Sequence, residues 1–122
     1  MCGCPVCSKY VSSYENEVRN FLKEMNINAL FEYDCNIIPI NPKTNYYLPF
    51  DNELIDYKLI IEVMGKQHYE LTGFHILTAK HNGTTPREEF EYTKWKDFYK
   101  KQFALDNGYK YLELPYTMFN DD

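Results

Sequence analysis

The chain has no run of about 18 apolar residues and no basic stretch leading into an apolar one. The expectation is therefore an intracellular protein, neither membrane-spanning nor secreted. Internal repeats and low-complexity stretches are also missing. So is a basic balance: the formal net charge is −5, which argues against a large basic surface gripping phosphates everywhere. It does not exclude nucleic acid, because Lys94, Lys96, Lys100 and Lys101 cluster locally and a cleaving domain needs carboxylates that lower the net charge. What is present is apolar and aromatic, with 44% hydrophobic residues, twelve Tyr and eight Phe, which rules out a disordered chain. At 122 residues there is material for one core and not for two.

Three of the four cysteines crowd the first seven residues, and in an intracellular chain they stay reduced. The stretch "CPVC" gives Cys4 and Cys7 the spacing of half a zinc knuckle, since two thiolates two residues apart can share one tetrahedral Zn2+. The second half is missing, so Cys2, Cys35 or a histidine would have to complete the site. The alternative is a frayed terminus, or the stump of a zinc module lying upstream. Residues 1–11 are accordingly read as a Cys-rich segment and 12–122 as a single domain.

In "SSYENEVRNFLKEMNI" the apolar residues Tyr14, Val18, Phe21, Leu22 and Met25 recur at helical spacing, and Ser12 with Glu15 fits a capping box, which predicts a helix over about 12–26. "ALFEYDCNIIPI" is rich in strand formers and "NPKTN" is a turn; "YYLPFDNEL" and "KLIIEVM" read as two further strands. The long mixed segment before Pro86 has room for a short helix or a functional flap. "TTPREEFEYTKWKDFYKKQFALDNG" is the clearest element: Thr85 caps, Pro86 sits at the first helical position, Glu88 completes a capping box and Gly108 suits the stop. "YKYLELPY" is a last strand ended by Pro115. The order of helix, three strands, helix and strand predicts an α/β fold with a central mixed β-sheet flanked by helices.

The stretch "IIEVMGKQHYE", residues 60–70, sets an acid inside an apolar strand, where it must be paired, bound to a metal or used. Asp51 lies eleven residues before Glu62, with the midpoint between Asp56 and Tyr57. A tight turn at "IDYK" would make the two carboxylates cross-strand partners about 5 Å apart. Like charges at that distance raise a pKa unless a cation sits between them. Two carboxylates and a backbone carbonyl such as that of Val63 suit a hard ion, Mg2+ above all, which can polarise a phosphodiester. The alternative leaves both acids on an exposed sheet face. His68, a few residues beyond the strand, is of a type that exchanges protons near neutrality, or else a packed ring beside Tyr69. Gly65 suits a close backbone approach or a bulge. Glu15 borders the helical apolar stripe and can reach the sheet edge or simply cap. Asp97 and Lys100 have a bland alternative as exposed ion-pair partners on one helix.

Taken together, Glu15 on a first helix, "LPFD" ending in Asp51, "IIEVMGKQHY" and "KDFYKKQFALDNGYKYLELPY" resemble the very short patch repair type of nuclease within the PD-(D/E)xK superfamily. The likeness is closest to the EDxHD catalytic domains of phage and intron-encoded homing endonucleases and runs from about Tyr14 to Tyr116. It implies a restriction-endonuclease-like fold, a phage- or mobile-element origin, and hydrolysis of double-stranded DNA with Mg2+, for which Mn2+ can substitute. It assigns Glu15 the helical glutamate role, Asp51 the principal metal ligand, Val63 a backbone carbonyl, His68 the proton-transfer group and Asp97 the closing acid. Glu62 falls at the superfamily's second metal-binding acid. The usual lysine two residues later is replaced by Met64, which shifts the load to His68 with Gln67, Lys66 or Lys100 as substitutes.

The resemblance thus implies a homing endonuclease domain, with a mismatch or repair nickase, or an inactive nucleic-acid-binding module of the same fold, as alternatives; an RNA-directed nuclease is the weakest of them. One such site cuts one strand, so a double-strand break requires a homodimer or two successive nicks. An acidic domain of this size has little surface for reading a long site, so target recognition is expected from a separate domain or subunit.

Overall fold

The computed structural model describes residues 13–119. Cys2, Cys4 and Cys7, and with them the half zinc knuckle, lie outside the described residues, as does Ser12 of the first capping box. The elements run α1 (Ser13–Glu24), β1 (Ala29–Leu30), β2 (Asn52–Leu54), β3 (Leu59–Met64), α2 (Gly73–Asn82), α3 (Pro86–Asp106) and β4 (Lys110–Pro115). The protein is thus a mixed α/β fold with one four-stranded sheet in the order β1-β2-β3-β4. The first two pairings are antiparallel and the last is parallel. A parallel neighbour needs a crossover, and here α2 and α3 supply it.

Local chemistry explains the best-formed elements. Thr85 Oγ1 accepts from the Glu88 N–H at 3.1 Å and Glu88 Oε1 accepts from the Thr85 N–H at 2.9 Å, a complete capping box with Pro86 next to it. The helix ends through Asn107 into Gly108, whose φ of +82° suits glycine. Between β2 and β3 a turn over Ile55–Tyr57 leaves Leu54 opposite Leu59 and Asn52 opposite Ile61. One further step of that register sets Asp51 opposite Glu62.

Successive β3 residues face opposite sides of the sheet. Ile61 joins Val18 and Leu22 of α1 in one apolar cluster, while Ile60 joins Phe50, Ala104 and Tyr109 in the other. Glu62 and Met64 share the face of Ile60, so they look toward α3.

The predicted first strand shrinks to two residues. After Leu30 the chain turns at Glu32, whose φ of +53° breaks an extended run, and Cys35 points inward, its thiol shared between the Leu30 and Phe50 carbonyls at 3.7 and 3.8 Å. Burial first, then the nearby acids, push that thiol up to about 12, so in this structure Cys35 is a neutral core group. Glu53, a second buried acid on β2, is saturated by the Asn36 backbone and side-chain amides at 2.6 and 3.1 Å and by the Tyr109 hydroxyl at 2.6 Å. It is a structural carboxylate fixing the 36 loop and the start of β4.

The long mixed segment holds α2 rather than an open flap. His75 is fully buried, accepts from the Thr72 N–H at 3.0 Å and stands edge-on to Phe74 and Phe90. It is a packing residue joining α2 to α3. Among the described residues no helix is long and apolar enough to cross a membrane.

Candidate functional site

Asp51 lies just before β2, opposite Glu62 of β3. Its Oδ2 accepts from the Val63 N–H at 2.7 Å, and its own N–H donates to Glu62 Oε2 at 2.6 Å. The two acids therefore clasp each other's strands. Because the N–H and C=O of one strand residue face the same neighbour, the Val63 carbonyl also looks toward the Asp51 side.

The other oxygen of Glu62 meets Lys100 Nζ at 2.5 Å, and Lys100 donates onward to the Pro49 carbonyl at 2.9 Å. This corrects the bland alternative for Lys100, which is a buried cation and not an exposed helix partner of Asp97. The cation that meets Glu62 is not supplied by its own strand or by the turn after it. Met64 is buried, Lys66 pairs with exposed Glu70 at 3.9 Å, and the ammonium group arrives from α3. Burial lowers the Lys100 pKa, but Glu62 and Asp51 outweigh it and hold the amine above its ordinary value. Glu62 is pushed up to about 7 by burial against the pull of Lys100.

On the other side of Asp51 the structure gathers acids that the sequence had not grouped. Glu15 from α1, Glu32 after β1 and Asp51 each offer an oxygen, all within 4.8 Å of one another. Glu32 is held there by its N–H bond to the Phe50 carbonyl at 2.9 Å. Burial, then Asp51 and Glu15, raise Glu32 to about 8, and burial together with Glu15, against Lys100, raises Asp51 to about 6. Glu32 was missed, although the signal that singled out Glu62, an acid within a strand-forming run, is also present in "ALFEYDC". Glu62 lies on the Lys100 side of Asp51, with both its oxygens engaged, and is not part of this triad.

His68 sits in a single turn over Lys66–His68 directly after β3. Its Nδ1 lies 2.8 and 3.0 Å from the two oxygens of Asp97 on α3. An ionised carboxylate only accepts, so the ring meets Asp97 through an Nδ1–H and turns Nε2 away from it. The ring is a quarter exposed and borders a cavity of about 170 Å3 that Lys96, Asp97, Lys100 and Gln67 also line. His68 is thus partly exposed to that cavity and not sealed in the core, and Asp97 is committed to the imidazole. Gln67 folds back over Gly65, where an added Cβ would lie 2.7 Å from its Oε1. Gly65 forms no bulge, since the β3–β4 register runs unbroken to Met64 opposite Pro115. Lys100 links the acids to the His68–Asp97 pair, since it meets Glu62 and also lines the cavity beside His68 and Asp97.

The acids imply a pH dependence. Glu32, Asp51 and Glu62 all bind protons more tightly folded than unfolded. Their contribution is thus fully present below the ordinary carboxylate range and is lost as pH rises through about 6, 7 and 8. Without divalent ions the melting temperature should fall across that window. Mg2+ competes with the protons, so it should stabilise the fold at the alkaline end and not at the acid end, by about 2.7 kcal/mol at a hundredfold excess over Kd, and raise the melting temperature there. Asp51→Asn should flatten both responses in circular dichroism melts; a wild type indifferent to Mg2+ at alkaline pH would count against metal binding.

Comparison with family models, with curated proteins and with solved structures returned no match to this chain.

Proposed function

We propose that the protein is a divalent-metal-dependent endonuclease domain that hydrolyses phosphodiester bonds in double-stranded DNA. The observation that carries this reading is the linkage of the Glu15–Glu32–Asp51 carboxylates, through Asp51 and Glu62, to Lys100, which lines the same cavity as the His68–Asp97 pair. Acids alone would repel a phosphate; acids with a buried ammonium and an oriented imidazole beside them are equipped to work on one. The order of α1, three strands, the helical crossover and β4, with the acids on β3 and just before β2, supports a restriction-endonuclease-like core.

Three carboxylate oxygens within 4.8 Å form an all-oxygen donor set of the kind hard cations prefer, and Mg2+ or Mn2+ fits it. Glu15, Glu32 and Asp51 would hold the ion, with the Val63 carbonyl on the same side. Bound there, it would supply charge neutralisation and Lewis acidity toward a phosphate oxygen. Lys100 opposes the effect of burial on Glu62 and, through Glu62, holds the Asp51 backbone in place. His68 exchanges a proton at Nε2 with water or with the leaving oxygen, and Asp97 fixes the ring for that exchange. Met64 in place of the superfamily lysine, the feature that favoured an inactive binding module, loses its force once Lys100 brings its ammonium to Glu62.

The test is nicking of supercoiled plasmid by the full chain with Mg2+ or Mn2+, paired with calorimetric titration of the metal. Metal-dependent nicking is expected, and Asp51→Ala should remove both the cuts and the heat of binding. Wild-type protein that neither nicks nor takes up metal would sink the reading.

A further inference from the structure

A second cavity, of about 460 Å3, adjoins the one beside His68 and shares Leu48 and Lys96 with it. That volume lies within the range of pockets that bury small organic groups. Its walls are strongly aromatic: Tyr33, Tyr46, Tyr47 and Tyr92 contribute, with Lys96 at the boundary. Tyr46, Tyr47 and Tyr33 remain 66%, 54% and 47% exposed, so the chain keeps three large rings in water beside its most chemically furnished cleft.

The loop that presents them is pinned. Ile40 bridges Tyr47, the Asn41 N–H donates to the Tyr46 carbonyl at 2.8 Å, and the Leu48 N–H donates to the Pro39 carbonyl at 2.8 Å. Asn41 is itself buried, donating to the Tyr92 hydroxyl at 2.6 Å and accepting from the Lys43 N–H at 2.9 Å. Tyr99 ties the same loop to α3 through the Ile40 carbonyl at 3.0 Å. Rings carried on a fixed backbone lose little entropy when something stacks on them.

From this juxtaposition we infer that the tyrosine cleft is a base-stacking subsite, which takes one unpaired DNA nucleotide flanking the phosphate held near His68. The inference deepens the endonuclease reading and rests on it. Paired bases are hidden in the helical stack, so only a base that is single-stranded or swung out can enter an aromatic cleft. Tyr92 is already stacked on Trp95, with Lys96 over its ring, so Tyr33, Tyr46 and Tyr47 are the rings left to take a base. A π-face is recognised without reading hydrogen-bond donors, so the subsite is tolerant of which base it holds. Lys96 stands between the two cavities, where the backbone of that nucleotide would pass.

The test is fluorescence anisotropy in EDTA, with a duplex carrying a short single-stranded gap and a fully paired duplex of the same sequence. Wild type should prefer the gapped DNA. Tyr46→Ala/Tyr47→Ala should weaken that binding by about tenfold or more, the usual cost of losing a stacked base, while leaving paired-duplex affinity nearly unchanged. Tyr46→Phe/Tyr47→Phe keeps the rings and should keep the preference. Equal affinity of wild type and the alanine variant for gapped DNA overturns the subsite, as does an equal loss on both duplexes. If the wild type nevertheless nicks plasmid with Mg2+, the endonuclease reading survives that failure; absence of both nicking and DNA binding removes the two together.

Discussion

His68→Ala is expected to lower metal-dependent cleavage by about 10²- to 10⁴-fold, the range supplied by a positioned proton-transfer group, without unfolding the chain. The ring sits on a short turn and is a quarter exposed, so the loss of stability should be confined to its bond with Asp97, about 1–3 kcal/mol. Asp97→Ala should cost less, because the imidazole remains but is free to rotate and to carry its proton on the wrong nitrogen. The decisive comparison is the double variant. If Asp97 acts only through His68, removing both should cost no more than removing His68 alone. Added imidazole should recover part of the rate in His68→Ala. A His68→Ala protein that cuts like wild type would shift the proton transfer elsewhere; additive losses would show that Asp97 touches the substrate or the ion itself.

Sequence patterns reveal local chemistry and miss what the chain brings together from afar. The start of α3 was readable because Thr85, Pro86 and Glu88 act within one turn. The facing of Asp51 and Glu62 was readable too, since an antiparallel hairpin with a short turn pairs residues symmetrically about its midpoint. Glu32 was not, because its place depends on three long-range facts. The two-residue pairing of β1 with β2 brings it near, its left-handed backbone turns it, and the packing of α1 on Leu54 and Ile61 carries Glu15 to meet it. Strand propensity across "ALFEYDCNIIPI" pointed the wrong way for the same reason: inward-facing Cys35 and the loop tied to Tyr92 and Tyr99 outweighed it. Lys100 illustrates the other failure. On a helix, Asp97 and Lys100 have the spacing of an exposed ion pair, and only the sheet beneath α3 shows that one turns to His68 and the other to Glu62.

Lys100→Met should destabilise the protein by about 3–5 kcal/mol, the cost of stranding a buried charge. The loss should depend on pH in a definite direction. Lys100 pulls the Glu62 pKa down from where burial alone would put it, so its removal raises that pKa further. An acid with a raised folded-state pKa loses stability as pH climbs, and the deficit of Lys100→Met must therefore widen from acid to alkaline solution in urea melts. Adding Glu62→Gln removes the stranded charge and should recover much of the stability, since replacing a whole buried pair costs far less than breaking one. It should not recover cleavage. Moving the ammonium is the sharper experiment. Met64 shares the α3-facing side of β3 with Glu62, about 7 Å along the strand, so Met64→Lys in the Lys100→Met background returns a cation to the same carboxylate from the strand instead of the helix. Partial return of both stability and metal-dependent nicking would mean that the site needs a charge beside Glu62 and is indifferent to which element provides it. Recovery of stability alone would mean that Lys100 also meets the DNA, and equal stability of Lys100→Met and wild type at alkaline pH would refute the buried pair as a determinant of the fold.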